Sequence, residues 1–259
     1  MSTNSDTARQ PVQTVNKALS VLELFKPDVE WLGVREISRT LAMNSATVHN
    51  ILRTLSHSGF VEQDESTKKY RLGLKVVQLA GAKLAQMDLV SYSTDHMKNL
   101  KELSNETITL SILHENKLLY LAKLESSEPV RVASHVGGSA PLHCSANGKA
   151  ILAFLPNHAS VLPSRLQTFT AKTVTDMTQL DIELEAIRRQ GYAIDVGGYL
   201  EDVNAVGAPI FAGTRGVVAS IAVIGPATRM DEVKLQMSAT HVRDAAARIS
   251  RALGWNGNS

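Results

Sequence analysis

The stretch Asn44-Ser45-Ala46-Thr47-Val48-His49-Asn50-Ile51-Leu52-Arg53-Thr54-Leu55-Ser56-His57-Ser58-Gly59 decides the fold of the first part of the chain. Val48, Ile51, Leu52 and Leu55 recur at helical spacing, so they form one apolar face that must pack inward. Asn44 suits the N-cap, where a side-chain oxygen accepts an N–H of the first turn. Gly59 stands where a helix-ending glycine stands. The opposite face carries Ala46, His49, Asn50, Arg53 and His57, with Ser45 and Thr47 near the start. Small hydroxyl residues at a helix start reach phosphate oxygens. Asn and Arg further along form bidentate contacts with base edges in the major groove. Any solvated helix face has the same composition, so the neighbouring segments have to arbitrate.

Upstream, Val15, Ala18, Leu19, Leu22 and Phe25 line one face of a first helix, which Pro27 stops. A short second helix fits Val34 to Leu41, and Ala42-Met43-Asn44 is a brief connection. Downstream, Phe60 to Gln63, the polar turn Asp64-Glu65-Ser66-Thr67, and Lys68 to Leu72 read as a β-hairpin. Tyr70 and Leu72 fall on one face of it, Lys69 and Arg71 on the other. Three helices and a basic hairpin within about 60 residues make a winged helix-turn-helix. Lys68, Lys69 and Arg71 in the wing suit DNA backbone or minor-groove contacts, although lysines also occur on any soluble hairpin edge.

Charge points the same way, weakly. Residues 1–87 hold 11 Lys and Arg against 8 Asp and Glu, while residues 88–259 hold 16 against 17. The positive excess therefore lies in the first third, where phosphate would be attracted. The whole chain has 259 residues, 44% of them hydrophobic, which suits two folded domains and excludes a disordered chain. One cysteine excludes a disulfide scaffold and a multi-cysteine zinc module. No run of about 18 apolar residues proposes a membrane span, and the polar start MSTNSDTARQPVQ lacks a secretory h-region. A cytoplasmic protein without a membrane association is expected.

The remainder alternates helices and strands. Leu74 to Met87 reads as a connecting helix and Val90 to Ser104 as another. Thr107–Leu113 and Leu118–Leu124 read as a hairpin, and Val130–His135 as a third strand. The loop Gly137-Gly138-Ser139 leads to a helix over Ala146–Leu155. A charged amphipathic helix over Gln179–Gln190 ends at Gly191. Tyr192–Asp195, Ala205–Phe211 and Val217–Ile224 are strands, and Asp231–Leu253 closes the chain as a long helix. Interspersed strands and helices, several in hairpin register, give an α+β sheet domain. The expected organisation is a disordered tail over 1–12, a DNA-binding domain over 13–73, a linker helix over 74–88 and a second domain over 89–254.

Thr47-Val48-His49-Asn50-Ile51-Leu52-Arg53-Thr54-Leu55, then Gly59-Phe60-Val61, then Tyr70-Arg71-Leu72-Gly73 resemble the IclR family of bacterial transcription regulators. So do Pro141-Leu142-His143, Ala146-Asn147-Gly148-Lys149-Ala150-Ile151-Leu152-Ala153, Gly191-Tyr192-Ala193 and Gly207-Ala208-Pro209-Ile210-Phe211, in the family's order. Asn50 departs from the arginine common at that position, which puts the base preference in doubt but not the binding mode. The resemblance implies a winged helix-turn-helix joined by a helix to a GAF-like effector domain. It implies a homodimer or homotetramer on a roughly palindromic double-stranded DNA operator, acting as repressor or activator. It also implies a small organic acid as effector. No enzyme activity, cofactor or metal is expected.

By that resemblance the acid's head meets backbone N–H groups at Ala146 and Asn147. A helix start presents unpaired N–H groups and the positive end of the helix dipole, so it suits a carboxylate. Asp195, Ala205, Ala222 and Ile224 correspond to ligand-lining strand positions. Family members that bind the smallest acids carry a cysteine and serines at the last three, where this chain has Ala, Ala and Ile. A larger or more apolar acid is therefore expected, unless these residues simply fill the strand core. Cys144 between His143 and Ser145, with His135, invites a metal reading, but no ligand spacing supports it. A hydrolase built on Ser145, His143 and Asp195 lacks a G-x-S-x-G elbow, and Gly148-Lys149-Ala150 is no phosphate loop. An enzyme acting on a small acid and a protein-binding winged helix are the competing readings. The polar face of the third helix and the basic wing argue against the enzyme, and salt-sensitive DNA binding separates the other.

Overall fold

A computed structural model describes residues 12–132 and 134–257, in two compact units that divide between Leu84 and Ala85. The expected tail over 1–12 falls, apart from Val12, outside the described residues. The first unit contains α1 (Gln13–Leu22), α2 (Val34–Thr40), α3 (Ser45–His57), β1 (Val61–Gln63), β2 (Tyr70–Leu72) and most of α4 (Leu74–Ala85). Its core is Val21, Leu32, Ile37, Val48, Ile51, Leu52, Val61 and Tyr70. Val48, Ile51 and Leu52 are buried as their spacing demands, and Leu55 packs at the core's edge. Tyr70 exchanges both backbone hydrogen bonds with Leu32, at 2.8 and 2.9 Å, and so fastens the wing to the segment before α2.

Two details of this unit differ from the expectation. In α1 the buried side is Val21 flanked by Ala18 and Leu22, while Val15 and Leu19 face outward. The apolar arc of this helix is wider than the surface it packs against. In the wing, Leu72 is exposed although it shares Tyr70's strand. Only Tyr70 has a partner beneath it, because the strand leaves the core after one residue.

The second unit is built on one six-stranded sheet. Its strands are β3 (Thr107–His114), β4 (Lys117–Leu124), β5 (Ser139–Ala140), β6 (Ala193–Val196), β7 (Val203–Phe211) and β8 (Val217–Pro226). Their order is β5-β4-β3-β8-β7-β6, with every neighbouring pair antiparallel. The helices are α5 (Asp88–Ser104), α6 (Ala146–Leu152), α7 (Met177–Gln190) and α8 (Glu232–Ala252). α5 packs with α8 on the sheet, and α6 packs with α7. Alternation along β7 and β8 sends Ala205, Ala222 and Ile224 to one face and Val206, Ile221 and Val223 to the other. This is the α+β architecture expected, and among the described residues no helix is long and apolar enough to cross a membrane.

The strand expected over Val130–His135 does not form in its described residues, 130–132 and 134–135. The sheet's edge strand is β5 instead, paired to Leu118 and Leu119 of β4. Side chains take carbonyls that a ladder would have used. Arg229 donates to Val130 O at 2.9 Å, and the Lys123 ammonium donates to Ser134 O. The segment is thereby tied at Val130 to the turn after β8 and at Ser134 to β4. It rejoins the sheet where Gly137, with φ +82°, donates to Tyr120 O and Tyr120 donates to Gly138 O.

Candidate functional site

Two surfaces gather the residues singled out by the sequence. In the first unit, Asn44 Oδ1 accepts the Ala46 N–H at 2.8 Å and fixes the start of α3. The Ser38 hydroxyl donates to Ser45 Oγ at 3.1 Å and ties α2 to that start. Ser45, Ala46, His49, Asn50 and Arg53 are exposed and Thr47 is half-buried, opposite the buried Val48, Ile51 and Leu52. One helix thus has an apolar face spent in the core and a polar face free along its length.

The wing turn is held by Asp64. Its Oδ1 accepts the hydroxyls of Ser66 and Thr67 at 2.6 and 2.8 Å and their N–H groups at 3.1 and 2.7 Å. These donors, the Ser66 hydroxyl foremost, hold the carboxyl well below the usual range. The fixed turn presents Lys68, in the left-handed region at φ +57°, and Lys69 to solvent. Among the described residues neither lysine, nor Arg53, is in an ion pair. Arg71 is different. Its guanidinium lies 4.8 Å from the centre of the Trp31 ring and meets Glu62 at 3.4 Å and Glu30 at 3.9 Å. It braces the base of the wing, where the two acids partly neutralise it.

In the second unit a cleft of about 250 Å³ opens at the start of α6. Ala146, Asn147, Asp195, Ala205 and Ile224 line it together. Ala222, expected with them, does not. It is fully buried beneath the cleft, packed with Ala146, Ala205 and Ile224. Its cross-strand partner is Gly207. A Cβ on Gly207 would stand 3.1 Å from Ala146 C and O and Asn147 N, so the missing side chain lets the start of α6 settle over that position. Tyr120, Ser134, Tyr199 and Leu200 also line the cleft and were not singled out from the sequence. The turn signal Gly197-Gly198 ahead of Tyr199 is the mark that points to it.

Ser145 caps α6. Its hydroxyl accepts the Gly148 N–H at 3.2 Å and donates to Pro141 O at 2.6 Å. The His143 ring bonds instead to Gln167 O, at 2.9 Å. Ser145 is therefore spent as a helix cap and is no nucleophile paired to a base. Burial pushes the Cys144 thiol up to about 12, helped by the Asp195 carboxylate, which keeps it an inert thiol.

Two buried polar atoms of the lining, Ser134 Oγ and Asn147 Oδ1, lack a hydrogen-bond partner among the described residues. The other end of the Asn147 amide donates to Thr109 Oγ1 at 2.8 Å. Burial pushes Asp195 up to about 6, against Lys149 and the N–H groups of Gly198 and Tyr199, which favour its charged form. Lys149 itself is paired to Glu183 at 3.0 Å. Burial raises the Tyr120 hydroxyl to about 12, so it remains a proton donor at neutral pH. The cleft thus offers neutral donors, one carboxyl that titrates near neutrality, and apolar walls from Val132, Val203, Ala205 and Ile224.

Residues 14–65 match the IclR helix-turn-helix domain, and residues 81–251 match the bacterial transcriptional regulator IclR C-terminal family. The glycerol operon regulatory protein of Streptomyces griseus is 32% identical over 246 residues, covering 94% of this chain and 97% of that protein. A crystal structure of an IclR-type regulator from a Silicibacter species superposes with a TM-score of 0.78 at 32% identity, over 94% of this chain and 97% of that one. An IclR homologue from Microbacterium hydrocarbonoxydans, solved with 4-hydroxybenzoate, has a TM-score of 0.83 at 26% identity, over 93% and 99% of the two chains. With both units matched in order and the architecture shared, this chain belongs to the IclR family of bacterial transcription regulators.

Proposed function

We propose that this regulator reads a DNA operator with α3 and the wing and adjusts that binding when an acid occupies the α6 cleft. Residues 13–73 are then the DNA-binding domain, 74–88 the linker helix and 89–254 the effector-binding domain. The observation that carries the reading is the division of α3, with Asn50 and Arg53 in solvent and Val48, Ile51 and Leu52 in the core. Asn50 and Arg53 reach base edges, Ser45 and Thr47 reach phosphates, and Ala46 and His49 flank them on the same face. Lys68 and Lys69 contact the backbone across the wing. Arg71 acts mainly by holding the wing against Trp31.

The test begins with selection of a bound duplex from a random pool. Arg53→Ala then weakens binding to that duplex by about 1–3 kcal/mol if it makes a bidentate base contact. Lys69→Ala weakens binding evenly across sequences and reduces the salt slope by about one unit. Unchanged affinity in both variants would exclude α3 and the wing as the reading surface.

The acting species is a dimer of this chain or a pair of dimers. One winged helix contacts few base pairs, whereas two related by a two-fold axis read a roughly palindromic site. Leu74, Val77 and Leu79 of α4 and Val15 and Leu19 of α1 are exposed apolar residues suited to contact a second copy. Light scattering at micromolar concentration shows at least a dimer. A monomer both with and without DNA contradicts the arrangement.

The effector is a hydroxylated carboxylic acid with an apolar, aromatic body. Its carboxylate lies against the N–H groups of Ala146 and Asn147, which have no acceptor within the helix. Its hydroxyl donates to the unpaired Asn147 Oδ1 and accepts from the Asp195 carboxyl in its protonated form. Ala205 and Ile224 contact the ring, while Ala222 acts from beneath the floor. The 4-hydroxybenzoate complex of the Microbacterium homologue supports this class of ligand.

A further inference from the structure

Beside the cleft lies a second cavity of about 300 Å³, and Ser139 and Tyr199 line both. The second cavity is walled by Pro141, Leu162, Pro163 and Phe169, with Lys117 at its edge. The Phe169 ring meets Tyr199 edge-on, with centroids 5.2 Å apart and planes at 82°, and lies 6.1 Å from the His143 ring. It is nevertheless 38% exposed, so part of an aromatic ring faces the cavity's surroundings uncovered.

The two walls are fastened to each other. The Thr170 hydroxyl donates to Gly197 O and the Thr173 hydroxyl to Gly198 O, both at 2.7 Å. Thr173 Oγ1 also accepts the Phe169 N–H at 3.0 Å. The Gly198 N–H in turn donates to Asp195 Oδ1 at 2.7 Å, and a Cβ at Gly198 would stand 2.7 Å from that same oxygen. One turn therefore carries the carboxyl of the first cavity, the partition Tyr199, and the anchor of the loop that supports Phe169. The second cavity thus has Phe169 and Tyr199 as an aromatic wall, and Tyr199 belongs to the first cavity as well.

We propose that the two cavities are a single bipartite effector site, in which Tyr199 is the partition and the second chamber takes the distal ring of an extended aryl carboxylic acid against Phe169. This rests on the acid-binding reading of the first cleft and names the ligand class more narrowly. Aromatic edges and faces attract beyond simple burial, so the distal ring adds affinity where Phe169 and Tyr199 stand edge to face. Lys117 favours a hydroxyl or anionic substituent at the far end of that ring.

Calorimetry on the full chain with 4-hydroxybenzoate and 4-hydroxy-3-phenylbenzoate, a biphenyl acid that keeps both polar groups of the shorter one, tests it. The biphenyl acid binds at least tenfold more tightly. Phe169→Ala removes most of that advantage and leaves 4-hydroxybenzoate within about twofold. Leu162→Trp, which fills the second chamber, does the same by exclusion. Binding of 4-hydroxybenzoate without any gain for the longer acid overturns the bipartite site and leaves the first cleft standing. Equal loss of both acids in Phe169→Ala also overturns it, and binding of neither acid overturns both readings.

Discussion

Arg229→Ala lowers the unfolding midpoint of the second unit by roughly 6–12 °C, from a loss of about 3 kcal/mol. The cause is Glu106, whose carboxylate is 1% exposed at the start of β3. Arg229 grips it with two parallel bonds, 2.7 Å from Nε to Oε1 and 2.8 Å from an Nη to Oε2, and the same Nη holds Val130 O at 2.9 Å. Lys234 adds one bond at 3.1 Å. Without Arg229 a buried carboxylate keeps a single cation and Val130 loses its tie. That loss is at the low end for breaking a buried pair because Lys234 remains on Glu106. Arg229→Lys recovers only part of the loss, since an ammonium cannot reproduce the two-pronged grip. Val132, Ser134 and His135, close after Val130, wall the ligand cleft, so acid affinity falls together with stability. A midpoint within a degree of wild type would mean that the pair behaves as an ordinary surface contact.

Asp195→Asn stabilises the protein at pH 7.5 and flattens its pH profile. Burial raises the native carboxyl from an ordinary value near 3.8 to about 6. Between those values the native state binds more protons than the unfolded chain, so stability falls as pH rises through about 6. The shift corresponds to about 3 kcal/mol, present in acid and absent at neutral pH. Asparagine retains an oxygen to accept the Gly198 N–H and carries no charge to bury. Urea unfolding at pH 5 and pH 7.5 reads about 1.4 kcal/mol of this, the part lost between those two values, and a variant as pH-dependent as wild type would place the titration elsewhere. Beside the entering anion that same carboxyl takes its proton and donates it to the ligand hydroxyl. Acid binding at pH 7.5 therefore takes up protons in the wild type and not in Asp195→Asn.

Periodicity revealed what local physics decides. The apolar stripe of α3, its Asn44 cap and the alternating strands of the sheet follow from spacing and residue type, and they stand where spacing put them. It was silent where long-range partners decide. Val130 and its neighbours have the composition of a strand, yet Arg229, about 100 positions later, and Lys123 take their carbonyls. Ala222 shares a face with Ile224, but Gly207 on the next strand admits the start of α6 over it. Val15 and Leu19 match the helical period of α1, while the core beneath that helix is narrower than its apolar arc. The second chamber depends on threonine hydroxyls meeting glycine carbonyls more than 20 positions away, which no spacing rule announces.

Coupling of DNA reading to acid binding within one chain is a measurable free energy. The decisive measurement is the Kd for the selected duplex as 4-hydroxybenzoate is raised to saturation. The expected result is a change of about fivefold or more, absent in Asn147→Leu, whose acid-free Kd equals that of wild type. A duplex Kd that stays constant while calorimetry shows the acid bound to the wild type would contradict the coupling outright.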